Sequence, residues 1–470
     1  MTARVAKAAL LASLPPEWAE DLMPAIRNAV AASRRKVVVL DDDPTGTQTV
    51  HGVPVLTEWP VEALRAELAD ELQAFFILTN SRSLPPPAAG ALNRAVARNL
   101  LAASKQTGRG FVVVSRSDST LRGHFPAETD ALGEVLGPFD GVLLAPFFEA
   151  GGRHTIADIH YLAEGDWLTP VAETQFARDA TFGYRNSNLR AWVEEKSNGR
   201  IRADAVVSIP IEALRRGGPA RVCESLMRLG GGCVCVVNVA SGRDLLVFVL
   251  GLLQAEAMGK RFLYRTGASF AATRAGIAPR PPLERAELNL PVSGGGLVMV
   301  GSYVPTSSGQ LRQLLASGGT VNVEVNARAV LSKDSLKAEI ARAGEALRAA
   351  LGDGRDTVLY TTREVVSGSD ALESLSICRR VSEGLIEILE HVAARPRYLL
   401  AKGGITSSDV ATKALRVRRA MVLGQILPGV PLWRLGQESR WPGLIYVSFP
   451  GNLGGPDALL ETVRKLAVNK

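Results

Sequence analysis

Lys36-Val37-Val38-Val39-Leu40-Asp41-Asp42-Asp43-Pro44-Thr45-Gly46 runs from a β-branched apolar stretch straight into an acidic turn. Its apolar part is short and uninterrupted, the pattern of a strand buried on both faces of a parallel sheet. The same grammar recurs. Ala74-Phe75-Phe76-Ile77-Leu78 leads into Thr79-Asn80-Ser81-Arg82, Phe111-Val112-Val113-Val114 into Ser115-Arg116-Ser117-Asp118-Ser119, and Gly141-Val142-Leu143-Leu144-Ala145 into Pro146-Phe147-Phe148. Helical periodicity fills the intervals, as over 61–73 and 88–107. Apolar strands alternating with helices predict an α/β domain with a mainly parallel sheet. Ligands of such sheets bind beyond the carboxyl ends of the strands, so the Asp, Arg and Ser residues at these ends are expected to share one crevice.

At 470 residues the chain exceeds one ordinary core. Proline and glycine concentrate in Ala278-Pro279-Arg280-Pro281-Pro282 and again in Ser293-Gly294-Gly295-Gly296, where regular periodicity stops. The sequence therefore predicts a helical extension over 1–35, one α/β domain over 36–287 and a second over 288–470. In the second, Leu297–Val300 ends in Gly301-Ser302-Tyr303, Tyr398–Ala401 in Lys402-Gly403-Gly404-Ile405-Thr406, and Leu444–Phe449 in Pro450-Gly451-Asn452. Glycine lets a backbone approach a phosphate closely, and the N–H groups that open a helix favour anions. Three such turns together point to a nucleotide site.

Composition narrows the class. Hydrophobic residues make up 46% and charged residues 21%, close to globular averages. No apolar run approaches the roughly 18 residues that span a bilayer, and the N-terminus makes a poor signal peptide, so no membrane association and a cytoplasmic location are expected. The net charge is +7, but the basic residues are scattered and no nucleic-acid motif is present, so anionic small molecules are the expected partners and nucleic acid is not. A homo-oligomer is left open. Cys223, Cys233, Cys235 and Cys378 form no C-x-x-C pair and read as buried reduced thiols. The absence of G-x-x-x-x-G-K-[ST], G-x-G-x-x-G, G-x-S-x-G and H-E-x-x-H argues against P-loop enzymes, dinucleotide binders and common hydrolases.

Within the first domain, Asp42 and Asp43 can accept a proton from a substrate hydroxyl, bind a polyol or hold a hydrated metal, or they can simply cap a turn. Arg82 and Arg116 suit a carboxylate, which a guanidinium grips through two parallel hydrogen bonds; alternatively they pair with Asp43, Asp118 or Glu128. His124, His154 and His160 have no metal-ligand spacing and read as loop-ordering groups, so a metal site is not assigned.

The ordered set Asp42-Asp43-Pro44-Thr45-Gly46, Asn80-Ser81-Arg82, Arg116-Ser117-Asp118-Ser119-Thr120-Leu121-Arg122-Gly123, Gly301-Ser302, Lys402-Gly403-Gly404-Ile405-Thr406 and Pro450-Gly451-Asn452 resembles the four-carbon acid sugar kinase family over residues 36–470. Shorter members begin with Asp-Asp-Leu-Thr-Gly-Ala near the N-terminus, and many carry Lys where Arg116 stands. The resemblance implies a two-domain kinase that uses ATP on threonate, erythronate or 3-oxo-tetronate. It implies sugar-acid binding by Asp42 or Asp43, Arg82 and the stretch Arg116, Ser117, Asp118 and Ser119. It implies ATP binding by Ser302, by Gly403, Gly404, Ile405 and Thr406, and by Gly451. The expected mechanism has the active site in the cleft between the domains, Asp42, Asp43 or Asp118 as the catalytic carboxylate, and Mg²⁺ on the phosphates as phosphoryl transfer requires. A non-catalytic sugar-acid sensor and a nucleotide-dependent oxidoreductase are the rival readings.

Overall fold

The computed structural model describes residues 4–363, 366 and 371–467, apart from the side chains of 371–375 and 378; Cys378 thus lies outside the described side chains. The chain divides into two compact units, up to Pro279 and from Arg280 onward. This division precedes the expected 287/288 boundary. Leu283 and Leu288 pack into the second unit's core, and the Leu283 N–H donates to the Gln425 carbonyl at 2.6 Å.

The first unit holds Val5–Ala6 (β1), Lys36–Asp41 (β2), Val53–Leu56 (β3), Ala74–Leu78 (β4), Phe111–Arg116 (β5), Gly141–Ala145 (β6), Arg153–Ile156 (β7), Ile159–Glu164 (β8), Trp167–Pro170 (β9), Val207–Ile209 (β10), Cys233–Val237 (β11) and Phe262–Thr266 (β12). Eight of these form a parallel array in the order β10-β11-β6-β12-β5-β2-β4-β3. Every residue of β2 and β4 is buried, as uninterrupted apolar runs require. Val38, Leu40, Phe75, Ile77 and Val113 meet Leu64, Leu68, Val96, Leu100 and Leu132 from helices Val61–Ala69, Pro86–Thr107 and Ala127–Leu136.

A separate antiparallel sheet, β1-β9-β8-β7, was not expected from the sequence. It takes Val5 and Ala6 from the supposedly helical extension and pairs them with Leu168 and Trp167. The rest of that extension includes helix Met23–Ser33, which packs on helix Gly242–Ala257. The apolar run Val247-Phe248-Val249-Leu250 belongs to that second helix. Cys223 and Cys235 are buried, whereas Cys233, the first residue of β11, is only partly so.

The second unit holds Leu297–Val300 (β13), Val321–Val325 (β14), Thr357–Thr361 (β15), Tyr398–Lys402 (β16), Arg419–Leu427 (β17), Val430–Leu435 (β18) and Ile445–Phe449 (β19). Their order is β17-β18-β19-β16-β13-β15-β14; β19 to β14 run parallel, and β17 and β18 add an antiparallel hairpin. One face, with Val298, Val300, Leu400 and Phe449, is covered by Leu311 and Leu314 of helix Pro305–Ala316 and by Leu459, Val463 and Leu466 of helix Ala458–Leu466. Helices Leu336–Gly352 and Ala371–Glu390 pack on each other elsewhere in the unit. Among the described residues, no helix is long and apolar enough to cross a membrane.

Candidate functional site

The carboxyl ends of β2, β4, β5 and β12 are adjacent, and their polar residues form one charge network. Asp41, the last residue of β2, accepts from Arg116 Nη1 at 3.0 Å, with both side chains buried. Burial pushes the Asp41 carboxyl up to about 7, while Arg116 pulls the other way. A Cβ on Gly46 would fall 1.7 Å from Asp41 Oδ2, so only glycine lets the acidic turn fold back over this pair. Asp42 accepts from Arg82 Nη2 at 2.8 Å and from Ser117 Oγ at 2.6 Å. Arg82 also reaches Asp43 Oδ2 at 3.3 Å, so one guanidinium bridges two carboxylates.

Asp43 Oδ1 accepts from the Thr45 N–H at 2.9 Å and from its hydroxyl. Burial opposes ionisation of Asp43, but Arg82 and the Thr45 donors outweigh it and hold the carboxyl below its usual range. Asp118 accepts from Arg122 Nε at 2.6 Å and from the Thr120 hydroxyl; here too burial is outweighed, and the carboxyl is held well below its ordinary value. Exposure separates the three candidate carboxylates: 3% for the Asp42 side chain, 13% for Asp118 and 21% for Asp43. Gly123 presses its backbone into the same cluster, at φ 131°, where a Cβ would lie 2.5 Å from Ser117 Oγ and 2.7 Å from Arg265 Nη2.

Several residues of this network escaped the sequence reading. Arg265, at the end of β12, bonds Glu128 Oε2 at 2.5 Å and Ser115 Oγ at 2.8 Å, and Glu128 in turn accepts from Ser81. Arg153 opens β7 and leans over the Phe148 ring, with its centroid 5.9 Å away. It donates to the Gly151 carbonyl, its Nε is buried without a partner, and among the described residues no carboxylate ion-pairs with it. Burial lowers its pKa, and Asp118 is the anion that counteracts. A lone Arg in Gly151-Gly152-Arg153 carries no local signal; its neighbourhood comes from the small sheet. Ser119 is buried, and its carbonyl accepts from His160 Nε2 at 2.7 Å. His124 contacts the Ser81 carbonyl at 3.2 Å and His154 that of Ala240 at 2.9 Å, so all three histidines order loops.

In the second unit the turns after β13 and β16 open onto a cavity of about 220 Å³. Ser302, Gly403, Gly404, Ile405 and Thr406 line it together with Gly301, while Gly451 does not. Gly451 lies behind, its Cβ direction 3.2 Å from Ser302 Oγ, and its carbonyl accepts from Ser307 Oγ at 2.9 Å. Gly403 has φ 115° and abuts Ser302, and a Cβ on Gly301 would fall 2.3 Å from Thr406 Oγ1, so both close approaches need glycine. Ile377, Val381 and Leu385, spaced four apart on helix Ala371–Glu390, form the apolar wall. That i, i+4 stripe was visible in the sequence but does not distinguish a pocket wall from core. Arg363 Nη1 donates to the Ser302 carbonyl at 2.7 Å and steadies the turn. An apolar slot closed by glycine and hydroxyl groups suits a planar base with a polar tail.

Among the described residues, no group of three or more His, Cys, Asp or Glu side chains able to hold a metal is found, and none that lines the cavity is a carboxylate.

Of the two α/β units, one presents paired acids and guanidiniums and the other a glycine-rimmed slot. Residues 37–274 match the sugar-binding N-terminal domain and residues 297–459 the nucleotide-binding C-terminal domain of one family, and the chain belongs to that family, the four-carbon acid sugar kinases. It is 28% identical to a 3-oxo-tetronate kinase of Cupriavidus necator over 84% of this chain and 87% of that one. It is 25% identical to a D-erythronate kinase of Heliobacterium modesticaldum (77% and 80% covered) and 27% to a D-threonate kinase of Cupriavidus necator (72% and 76%). A Salmonella typhimurium LT2 protein described as a tRNA synthase has the same fold, with a TM-score of 0.66 at 18% identity over 92% of this chain and 99% of that one.

Proposed function

We propose that the chain transfers the γ-phosphoryl group of ATP to the terminal hydroxyl of a four-carbon sugar acid of the threonate, erythronate or 3-oxo-tetronate type. The observation that carries this reading is the presence, in one chain, of a carboxylate–guanidinium cluster and an apolar slot with a glycine-hydroxyl rim. The names of the relatives support the substrate class. The substrate oxygen attacks Pγ, the bond from Pγ to the β-bridging oxygen breaks, and ADP leaves as its magnesium complex. Positioning and charge compensation do most of the work in such a transfer, and a strong base is not required. Low-pKa carboxylates therefore suffice to orient the hydroxyl and accept its proton as the new bond forms.

Asp43 and Asp118, the more exposed carboxylates, take that role. Asp42 is buried between Arg82 and Ser117 and positions them. The carboxylate grip expected of Arg116 passes to Arg153, because Arg116 is already paired with buried Asp41 whereas Arg153 has no ion-pair partner among the described residues. Arg82, still partly exposed, faces the hydroxyls or the carboxylate alongside it. ADP release measured against a panel of threonates, erythronates and 3-oxo-tetronates tests the assignment, with ³¹P NMR of the product. Absence of turnover on every acid, with the protein folded, would remove it and leave a sensor.

A further inference from the structure

Lys402 ends β16 and has no solvent exposure. Its ammonium makes one hydrogen bond, to the Pro450 carbonyl at 3.1 Å, and sits 3.9 Å from the centre of the Phe449 ring. Among the described residues no carboxylate ion-pairs with it. An ammonium has three donors, and one carbonyl plus one ring does not replace the hydration it has lost. Burial is the sole cause acting on its pKa, which falls to about 7.

Among the described residues, the groups that touch the Lys402 ammonium do not titrate. β13 places Val300 beside it in register, β19 places Phe449 beside it, and the turn after β19 contributes the Pro450 carbonyl. Helix Pro305–Ala316 contributes Ser307 and Gln310, whose side chains bond the carbonyls of Gly451 and of residues 453–455. The charged groups on the adjoining elements are engaged elsewhere: Arg363 on the carbonyls of Val300, Ser302 and Thr361, and Asp409 on Ser382 and Lys413.

Yet Lys402 adjoins the cavity rim on two sides. It directly precedes Gly403 and Gly404, and the carbonyl it holds belongs to the residue before Gly451, which packs on Ser302. We propose that Lys402 is the counter-charge for the phosphates of the bound nucleotide, and that nucleotide binding carries a proton from solvent onto its amine. A polyanion beyond the turn supplies the opposite charge that the protein withholds, so the ammonium form becomes the favoured one. The only bond formed is N–H, with the proton taken from the buffer. The inference rests on the second unit binding a nucleotide, and its test uses nucleotide alone, without any sugar acid.

Magnesium ADP is titrated calorimetrically into the full chain at about pH 8, where its phosphates are already ionised, in buffers of different ionisation heat. Wild type should take up about one proton per nucleotide, since the free amine is mostly neutral there and the bound one charged. Lys402→Arg, which keeps a permanent cation, should bind while losing the uptake. Lys402→Met should bind about tenfold or more weakly, again without uptake. Should both variants fail to fold, the wild-type dissociation constant decides: it should rise about tenfold per pH unit above about pH 7.5. Binding with no proton uptake, or equal uptake by Lys402→Arg, overturns the inference while leaving the kinase reading intact. Absence of nucleotide binding at any pH removes both.

Discussion

Gly46→Ala is the sharpest probe of the acidic turn, because a single methyl group acts there on a single contact. The added carbon would sit 1.7 Å from Asp41 Oδ2 and 2.1 Å from Oδ1, so the carboxylate must move. Moving it breaks the 3.0 Å pair with Arg116, whose side chain is 6% exposed against 2% for Asp41. Water cannot replace the lost partner at that burial, and separating such a pair costs about 3–5 kcal/mol. Gly46 is not at positive φ, so backbone strain adds nothing. For a unit of this size each kcal/mol lowers Tm by roughly 2–4 °C, which places the expected drop at roughly 6–20 °C. Scanning calorimetry of the full chain reads it, and coupled ADP release should show kcat/KM for the acid falling by more than about tenfold, because Asp42 and Asp43 ride on the same turn. A Tm within about 2 °C of wild type, with kcat/KM unchanged, would refute the claim that this glycine exists to admit Asp41.

Other outcomes follow from the same geometry. Asp43→Asn and Asp118→Asn, measured separately, should expose the hydroxyl-orienting group as a kcat loss of about 10²–10⁴ with little change in the nucleotide KM; a loss in neither would shift the role to Asp42. Val381→Arg places a charge in the apolar wall of the cavity and should weaken nucleotide binding by more than about tenfold, whereas binding of the acid, followed by ligand-induced thermal shift, should not move. The raised Asp41 pKa also has a definite sign. Its folded value near 7 exceeds the ordinary 3.8, so the folded state binds the extra proton between those values, and this group's stabilising contribution is lost as pH rises through 7. Asp41→Asn should be less stable overall, yet should lack that part of the slope when urea midpoints are compared between about pH 5 and 8. An unchanged slope would place the titration elsewhere.

Strand identity was legible because it is a local property: β2, β4, β5, β6, β13, β16 and β19 are short apolar runs ended by polar turns, and burial on both faces demands that composition. The residues of those turns were legible for the same reason, as were the glycines that admit close backbone approaches. Helix Met23–Ser33 and the apolar wall of the second unit's cavity are amphipathic stripes, which betray a helix but not what the stripe faces. The small sheet β1-β9-β8-β7 joins segments more than 150 residues apart and leaves no periodic trace.

What the sequence by itself determined was the inventory: parallel strands, their acidic, basic and glycine-rich ends, and a division into two units with different chemistry. Tertiary structure decided who neutralises whom. Arg116 meets Asp41 across 75 residues and Arg265 meets Glu128 across 137, so two guanidiniums are spent inside the fold, Arg153 has no carboxylate ion-paired to it among the described residues, and Lys402 is buried with a carbonyl and a ring for company. Charge pairing depends on distances through space and on the loss of water around each group, and neither is written in the order of residues along the chain.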